Sequence, residues 1–266
     1  MIYDEPIFLI GGDSFVTIEL GNDGSLSLNL YILALEKMIL ESKIPGLIDT
    51  ASLRNTIMIR YNPFVIHAYE LIEYLKGLIS SGVKIPPIIP SRLIYLPVYY
   101  NDPWTRDCAK EHGYPPNLEI LAKENNISVD EVIEIHSHSK YFVSYTSFMF
   151  GSFGSFPIDP ITHLKNSKYK TPRKWSPSRN LGLHGNTTGF CPIVAPSGVM
   201  MLGRVPVKTF DIDGENKFFR KDLLLLHPGD QLRFIPIDGT EYEYSRKNLD
   251  DYTYKIDECY IDTSKL

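Results

Sequence analysis

Leu28, Ile32, Leu35 and Ile39 fall on one stripe at helical spacing, and Pro45-Gly46 follows where such a helix would stop. The pattern predicts a helix over residues 28–42. Before it, residues 7–10 and 15–20 form short apolar or alternating runs separated by Gly11-Gly12-Asp13, the composition of a hairpin turn. After it come two more β-like runs, 47–53 and 56–61, and then a second helical stripe of Leu71, Ile72, Leu75, Leu78 and Ile79. The order strand, strand, helix, strand, strand, helix reads as a small α+β domain over residues 1–85.

Gly82, Pro86, Pro87 and Pro90 crowd residues 82–91, an interval that resists both helix and central strand, so a domain boundary is expected there. Beyond it, residues 92–99 read as a strand and 116–125 as a helix, and Ser128-x-x-Glu131 has the capping-box pattern that opens another. From residue 140 the rhythm changes to short strands at 142–150, 190–194, 199–203, 205–210 and 231–236, with glycine or proline in nearly every gap. That rhythm predicts a closed or nearly closed β-barrel over residues 92–240. Residues 241–266 form a tyrosine-rich extension. Its alternating Glu241-Tyr242-Glu243-Tyr244 is the pattern of a strand packed on the barrel or of an arm lying on a partner.

Composition narrows the function classes. Across 266 residues, 43% hydrophobic and 22% charged side chains are those of a folded globular protein. A formal charge of −5 without a basic stripe offers nucleic acid no electrostatic footprint. The apolar run 30–40 is broken by Glu36 and Lys37, far short of the roughly 20 residues of a membrane helix, and the acidic start lacks the basic residues of a secretory signal. A cytoplasmic location is expected, without nucleic acid or membrane as partner. Cys108, Cys191 and Cys259 are odd in number and widely spaced, which points to reduced thiols rather than disulfides or a zinc site, and no metal is expected.

A series of motifs then runs in a fixed order. It comprises Gly12-Asp13-Ser14, Tyr61-Asn62-Pro63, Leu96-Pro97-Val98-Tyr99-Tyr100, Val132-Ile133 with His136-Ser137, Thr171-Pro172-Arg173, residues 182–192 (Gly182-Leu183-His184-Gly185-Asn186-Thr187-Thr188-Gly189 and onward to Pro192), Pro196-Ser197-Gly198, Gly203-Arg204-Val205-Pro206 and Pro228-Gly229-Asp230. In order and spacing this resembles the family of 5-oxoprolinase B subunits and allophanate hydrolase subunit 1, a carboxyltransferase subdomain C and D and kinase-inhibitor-like group. Asn101-Asp102-Pro103-Trp104 and the long approach from Pro157 to Thr171 resemble its urea-carboxylase branch. The resemblance implies an α+β fold in which a small N-terminal α+β domain precedes a cyclophilin-like β-barrel. It also implies a subunit inactive alone that acts on a small amide, lactam or urea-like substrate. Its implied partner is a homologous second subunit, of the 5-oxoprolinase C type or the allophanate hydrolase subunit 2 type. The implied reaction is either ATP-dependent opening of 5-oxoproline, with ATP used through the complex, or carboxyl transfer from carboxybiotin. No lysine here has the Met-Lys context of a carrier, so biotin would sit on a separate chain. Some members resemble inhibitors of a histidine kinase, which leaves docking without chemistry as a further alternative.

Carried onto this chain, the motifs make Arg173, His184, Asn186, Thr188 and Arg204 the candidate substrate-binding residues; no catalytic residue is assigned. The guanidinium fork of Arg173 or Arg204 matches two carboxylate oxygens, or braces a loop through backbone carbonyls. Gly182, Gly185, Gly189, Gly198 and Gly203 either expose N–H groups to a ligand or shape barrel corners. His184 stands where the family has a small residue. Other departures are residues 147–153, which lack the family's prolines, and Asn186-Thr187 and Val199-Met200, where family glutamines are missing. His136-Ser137 invites a nucleophile reading, but no Gly-x-Ser-x-Gly elbow accompanies it, and there is no Walker-type phosphate loop.

Overall fold

The computed structural model of the chain describes residues 2–265 apart from Ser147, Glu215, Arg220 and Lys221. Ser147, which opens the departing segment 147–153, and Leu266, which ends the extension, lie outside the described residues. Two compact units are present, Met1–Pro90 with Tyr260–Leu266, and Ser91–Cys259.

In the first unit β1 (Ile2–Gly11), β2 (Phe15–Gly21), α1 (Leu26–Glu41), β3 (Leu47–Ser52), β4 (Thr56–Tyr61) and α2 (Ala68–Ser80) follow in order. The four strands form an antiparallel sheet, β1-β2-β4-β3. Alternation along β2 and β4 sends Val16, Ile18, Leu20, Ile57, Ile59 and Tyr61 into one core with the helical stripes Leu28, Ile32, Leu35, Ile39 and Leu71, Ile72, Leu75. Each fully buried aliphatic side chain of that kind contributes roughly 1.5–3 kcal/mol relative to exposure. Ser25 caps α1, its Oγ accepting from Leu28 N at 3.3 Å.

The chain enters the second unit within β5 (Ile88–Tyr100). This strand starts inside the interval expected to resist one. Pro90 is tolerated because it precedes Leu93, where pairing with the neighbouring strand on one side begins, so its missing N–H breaks no rung there. Then come α3 (Pro103–Glu111), α4 (Asn117–Asn125), α5 (Val129–His138), β6 (Tyr141–Tyr145), β7 (Phe153–Pro157), β8 (Arg173–Ser176), β9 (Asn180–His184), β10 (Thr187–Cys191), β11 (Ala195–Ser197), β12 (Met200–Arg204), β13 (Gln231–Pro236), α6 (Gly239–Lys247) and β14 (Ile256–Asp262). Seven strands in the order β12-β9-β10-β7-β6-β13-β5 close into a barrel through a β12–β5 pairing, with β14 beside β5. β13 runs parallel to β5. The fold is the α+β arrangement with a β-barrel that the sequence predicts.

The strand expected over 142–150 ends at Tyr145, and three further stretches differ from expectation. Residues 205–210 are not a strand: Val205 and Val207 are buried, but Pro206 interrupts them, and only an isolated Phe210–Leu224 bridge forms. α3 rises from a segment with almost no apolar stripe, held by its terminus, where Asp102 accepts from Thr105 N at 3.0 Å and Pro103 begins the helix. The alternating Glu-Tyr run is helical, not extended. Asp238 and Glu241 form a capping box, and Tyr242 and Ser245, three residues apart, are buried on one face.

Candidate functional site

β9 and β10 form a hairpin in which His184 pairs with Thr187, leaving Gly185 and Asn186 as a two-residue turn. Gly185 takes φ +60° at the first turn position, where such hairpins need the left-handed region. Asn166 clamps the turn, accepting from Gly185 N at 2.9 Å and donating to Gly185 O at 2.5 Å.

Under this turn Thr188 is fully buried and belongs to a chain of polar groups inside the barrel. His136 Nε2 lies 3.1 Å from Thr188 Oγ1, and His136 Nδ1 lies 2.7 Å from the Tyr100 hydroxyl. The ring is sandwiched between Phe234, stacked at 4.8 Å, and Tyr141, at 5.0 Å. Burial pushes the His136 imidazole down to about 3, so near neutrality it is uncharged, one ring nitrogen donating and the other accepting. Burial raises the Tyr141 phenol, whose oxygen is bonded by the side chains of Thr188 and Ser139.

This chain opens on a cavity of ≈ 10 Å³, lined by Tyr141, His163, Leu164, Gly185, Asn186 and Thr188 among others, about enough for one water. His163 Nε2 is shut off from solvent there without a hydrogen-bond partner. Asn186 and Thr188 thus share one pocket. His184, on the opposite strand face from Leu183, does not line it and lies against Gly189.

The candidate arginines lie elsewhere. Arg204 pairs with Asn180, at the other end of β9 from the turn, so roughly 13 Å of strand separates it from the Asn186 pocket. Arg173 is 1% exposed. Its Nη2 donates to Val199 O at 2.7 Å and its Nη1 to Asn117 Oδ1 at 3.4 Å, while its guanidinium lies 5.0 Å from the Tyr169 ring. Burial lowers its pKa from the usual arginine value. These contacts tie the start of β8 to α4 and to the approach to β12, the geometry of a brace. Replacing Arg173 by alanine is expected to cost about 2 kcal/mol in urea unfolding, with lysine recovering less than half of it, because a single ammonium cannot make both bonds. An alanine variant as stable as wild type that nevertheless loses ligand binding would restore the carboxylate role.

The glycines mostly shape the barrel. Gly154, Gly189 and Gly182 stand side by side across β7, β10 and β9. A Cβ on Gly182 would meet Val199 at 2.7 Å, and Gly198 O accepts from Tyr169 N. Among the described residues no group of three or more His, Cys, Asp or Glu is placed to hold a metal, and no helix is long and apolar enough to cross a membrane.

Sequence reasoning matched His136 as part of a motif but gave it no partner. Its signal was present: His136 follows Val132 by four residues, on the buried face of α5. Comparison with known proteins places the chain. Residues 6–220 match the family of the carboxyltransferase domain, subdomain C and D. The chain belongs to that family. It is 27% identical to the B subunit of 5-oxoprolinase from Escherichia coli O157:H7 over 228 residues, 85% of this chain and 93% of that protein. It is likewise 27% identical to the B subunit of 5-oxoprolinase from Bacillus subtilis over 247 residues, 87% of this chain and 92% of that one. The crystal structure of K. lactis urea amidolyase shares its fold, with a TM-score of 0.88 at 20% identity over 98% of this chain and 16% of that one. The relatives of this family member are therefore named as enzymes or enzyme subunits.

Proposed function

We propose that this chain is the B-type subunit of a heteromeric enzyme that opens a small lactam of the 5-oxoproline kind in an ATP-dependent reaction, its site completed by a homologous second subunit. The observation that carries this reading is the match along 93% and 92% of two 5-oxoprolinase B subunits, against 16% of the urea amidolyase chain. The pocket at Asn186 and Thr188 suits it chemically. An amide and a hydroxyl present donors and acceptors to a ring amide, and the neutral His136 behind Thr188 relays hydrogen bonding to Tyr100 without ionising. A cavity of water size must open, and gain walls from a partner, before it holds a lactam. For ATP, this chain has no Gly-rich phosphate loop, so a nucleotide site is either built differently or formed at the interface of the complex.

The second reading is carboxyl transfer, with biotin on a separate carrier chain. Asn101-Asp102-Pro103-Trp104, which builds the start of α3, favours it through its likeness to the urea-carboxylase branch.

Co-expression with the second- and third-subunit homologues tests both. A stable hetero-oligomer with ATP hydrolysis dependent on 5-oxoproline is expected, and no turnover from this chain alone. An assembled complex inert to 5-oxoproline but active with carboxybiotin and a urea would replace the first reading by the second. Separate species in size-exclusion chromatography at micromolar concentration would overturn the partnership itself.

A further inference from the structure

Three arginines from three parts of the second unit meet beside the β12–β5 closure. Arg204 ends β12; its Nε donates to Ser178 O at 2.9 Å, and its guanidinium lies 4.6 Å from the Trp104 ring and 5.5 Å from that of Tyr242. Arg179, held at φ +63° between β8 and β9, donates from Nη1 to Pro206 O at 3.3 Å and Val207 O at 2.7 Å. Arg246 reaches over from α6 and donates to the same Pro206 O at 3.3 Å. That shared carbonyl holds Arg179 and Arg246 together although both are cations.

Among the described residues the cluster has no carboxylate in direct ion-pair contact. Asp102, whose charge acts on Arg204, is already committed as the α3 cap, accepting from Thr105 N at 3.0 Å and Thr105 Oγ1 at 2.7 Å. Burial, reinforced by Arg246 and Arg204, lowers the Arg179 guanidinium to about 10. All three arginines are half-buried, so solvent dilutes their repulsion only in part while a ligand still has access. Within the same group Tyr242 is 2% exposed, and its hydroxyl is shut off from solvent with no hydrogen-bond partner. A buried phenol without an acceptor is rare in folded proteins and calls for an explanation.

One kind of ligand answers both features. A group with two or three acceptor oxygens and a negative charge would take the free guanidinium donors, accept from the Tyr242 hydroxyl and neutralise the cluster. We propose that Arg179, Arg204, Arg246 and Tyr242 form a binding site for a small oxyanion, the carboxylate or phosphate group of a substrate or nucleotide. The site lies a strand's length from the Asn186 pocket and is independent of which reaction the assembled enzyme performs. The exposed ring of Trp104 would cover one side of the bound group.

Trp104 also reports on it. The chain has two tryptophans, so in a Trp175→Phe background Trp104 is the sole indole, read by excitation at the red edge of the absorption band where tyrosine does not absorb. Inorganic phosphate and acetate, each titrated against chloride at constant ionic strength, are expected to change its emission saturably in the millimolar range. Arg246→Gln and Arg179→Gln, checked for folding by circular dichroism, are expected to weaken binding by about tenfold or more, the scale of one charge-assisted hydrogen bond. Tyr242→Phe is expected to leave the anion-free melting temperature unchanged or higher and to reduce the stabilisation that phosphate gives. Tighter binding of phosphate, with competition by ATP, would identify a nucleotide as the source; tighter binding of acetate would identify a substrate carboxylate. A linear, unsaturated response, or one that persists undiminished in both arginine variants, overturns the site. The titration uses this chain alone and involves no turnover, so its outcome is separate from that of the lactam assay.

Discussion

Gly203→Ala is expected to cost about 3 kcal/mol or more and to open the barrel. The ring closes through two residue pairs, Gly203 with Tyr100 and Arg204 with Tyr99. A Cβ on Gly203 would lie 2.3 Å from Tyr99 O and 2.8 Å from Tyr100 Cα. Those are backbone atoms of the paired strand, with no rotamer to change, so β12 and β5 must separate and lose the pairing that closes the sheet. Overpacking a fixed position commonly costs 1–3 kcal/mol, and the loss of closure adds to it. Arg204 would move with β12, so the same variant should also lose the anion response of Trp104. Gly185→Ala is the control: its φ is +60°, but nothing lies within 4 Å of the added methyl, so only conformational strain of about 1 kcal/mol is expected. Urea unfolding of Gly203→Ala within about 0.5 kcal/mol of wild type would show that the closure contributes little.

The contrast between these glycines shows how far the sequence could be read. Leu28, Ile32, Leu35 and Ile39 predict α1 within two residues at its start, and all four are fully or nearly fully buried. Periodicity succeeds there because one face of a long helix meets one core. In the barrel the strands are short, and β7 and β9 escape a pattern reading because glycine and polar side chains occupy buried positions; β8 and β11, which pair with each other in a separate two-stranded sheet, are four and three residues long, too short to show a period. Asn180, Thr188 and Ser155 are buried as completely as neighbouring leucines, since their side chains bond backbone carbonyls or His136. The α6 helix was signalled by Asp238-x-x-Glu241, but the Tyr-Glu alternation beside it pointed to a strand. Caps and tertiary packing outweigh two-residue alternation over so short a run.

The candidate site was legible as a set of residues and not as a place. Arg173, Asn186, Thr188 and Arg204 share a motif region, but the hairpin folds that region so that Asn186 and Arg204 lie at opposite ends of β9. Arg179 and Arg246 are 67 residues apart in number, and nothing in the sequence says that they bond the same carbonyl. Convergence of that kind is set by closure of the barrel and the return of α6, both non-local. A motif names the residue types, and the topology decides which of them meet one ligand.

Unfolding free energy is expected to fall as pH drops below 6.5, through His136. In the unfolded chain this imidazole titrates near 6.5, and in the folded protein burial holds it neutral down to about 3. Between those values the unfolded state binds a proton that the native state does not, so acid favours unfolding. The stabilisation is complete above 6.5 and is lost progressively toward 3, at about 1.4 kcal/mol per pH unit, or about 2 kcal/mol by pH 5. Protonation within the fold would also leave Tyr100 and Thr188 facing two donors, where the neutral ring supplies one donor and one acceptor. Urea titrations of wild type and His136→Gln between pH 7 and pH 5 separate this residue from the other acid-sensitive groups. The glutamine variant should start less stable, because its amide does not reproduce both ring contacts, and should lose less on acidification. A wild-type free energy that is flat over that window, or an equal slope in both proteins, would mean that His136 ionises without unfolding the barrel. The relay from Thr188 to Tyr100 would then be an acid–base group open to solvent, and the pocket above it would be more hydrated than its lining indicates.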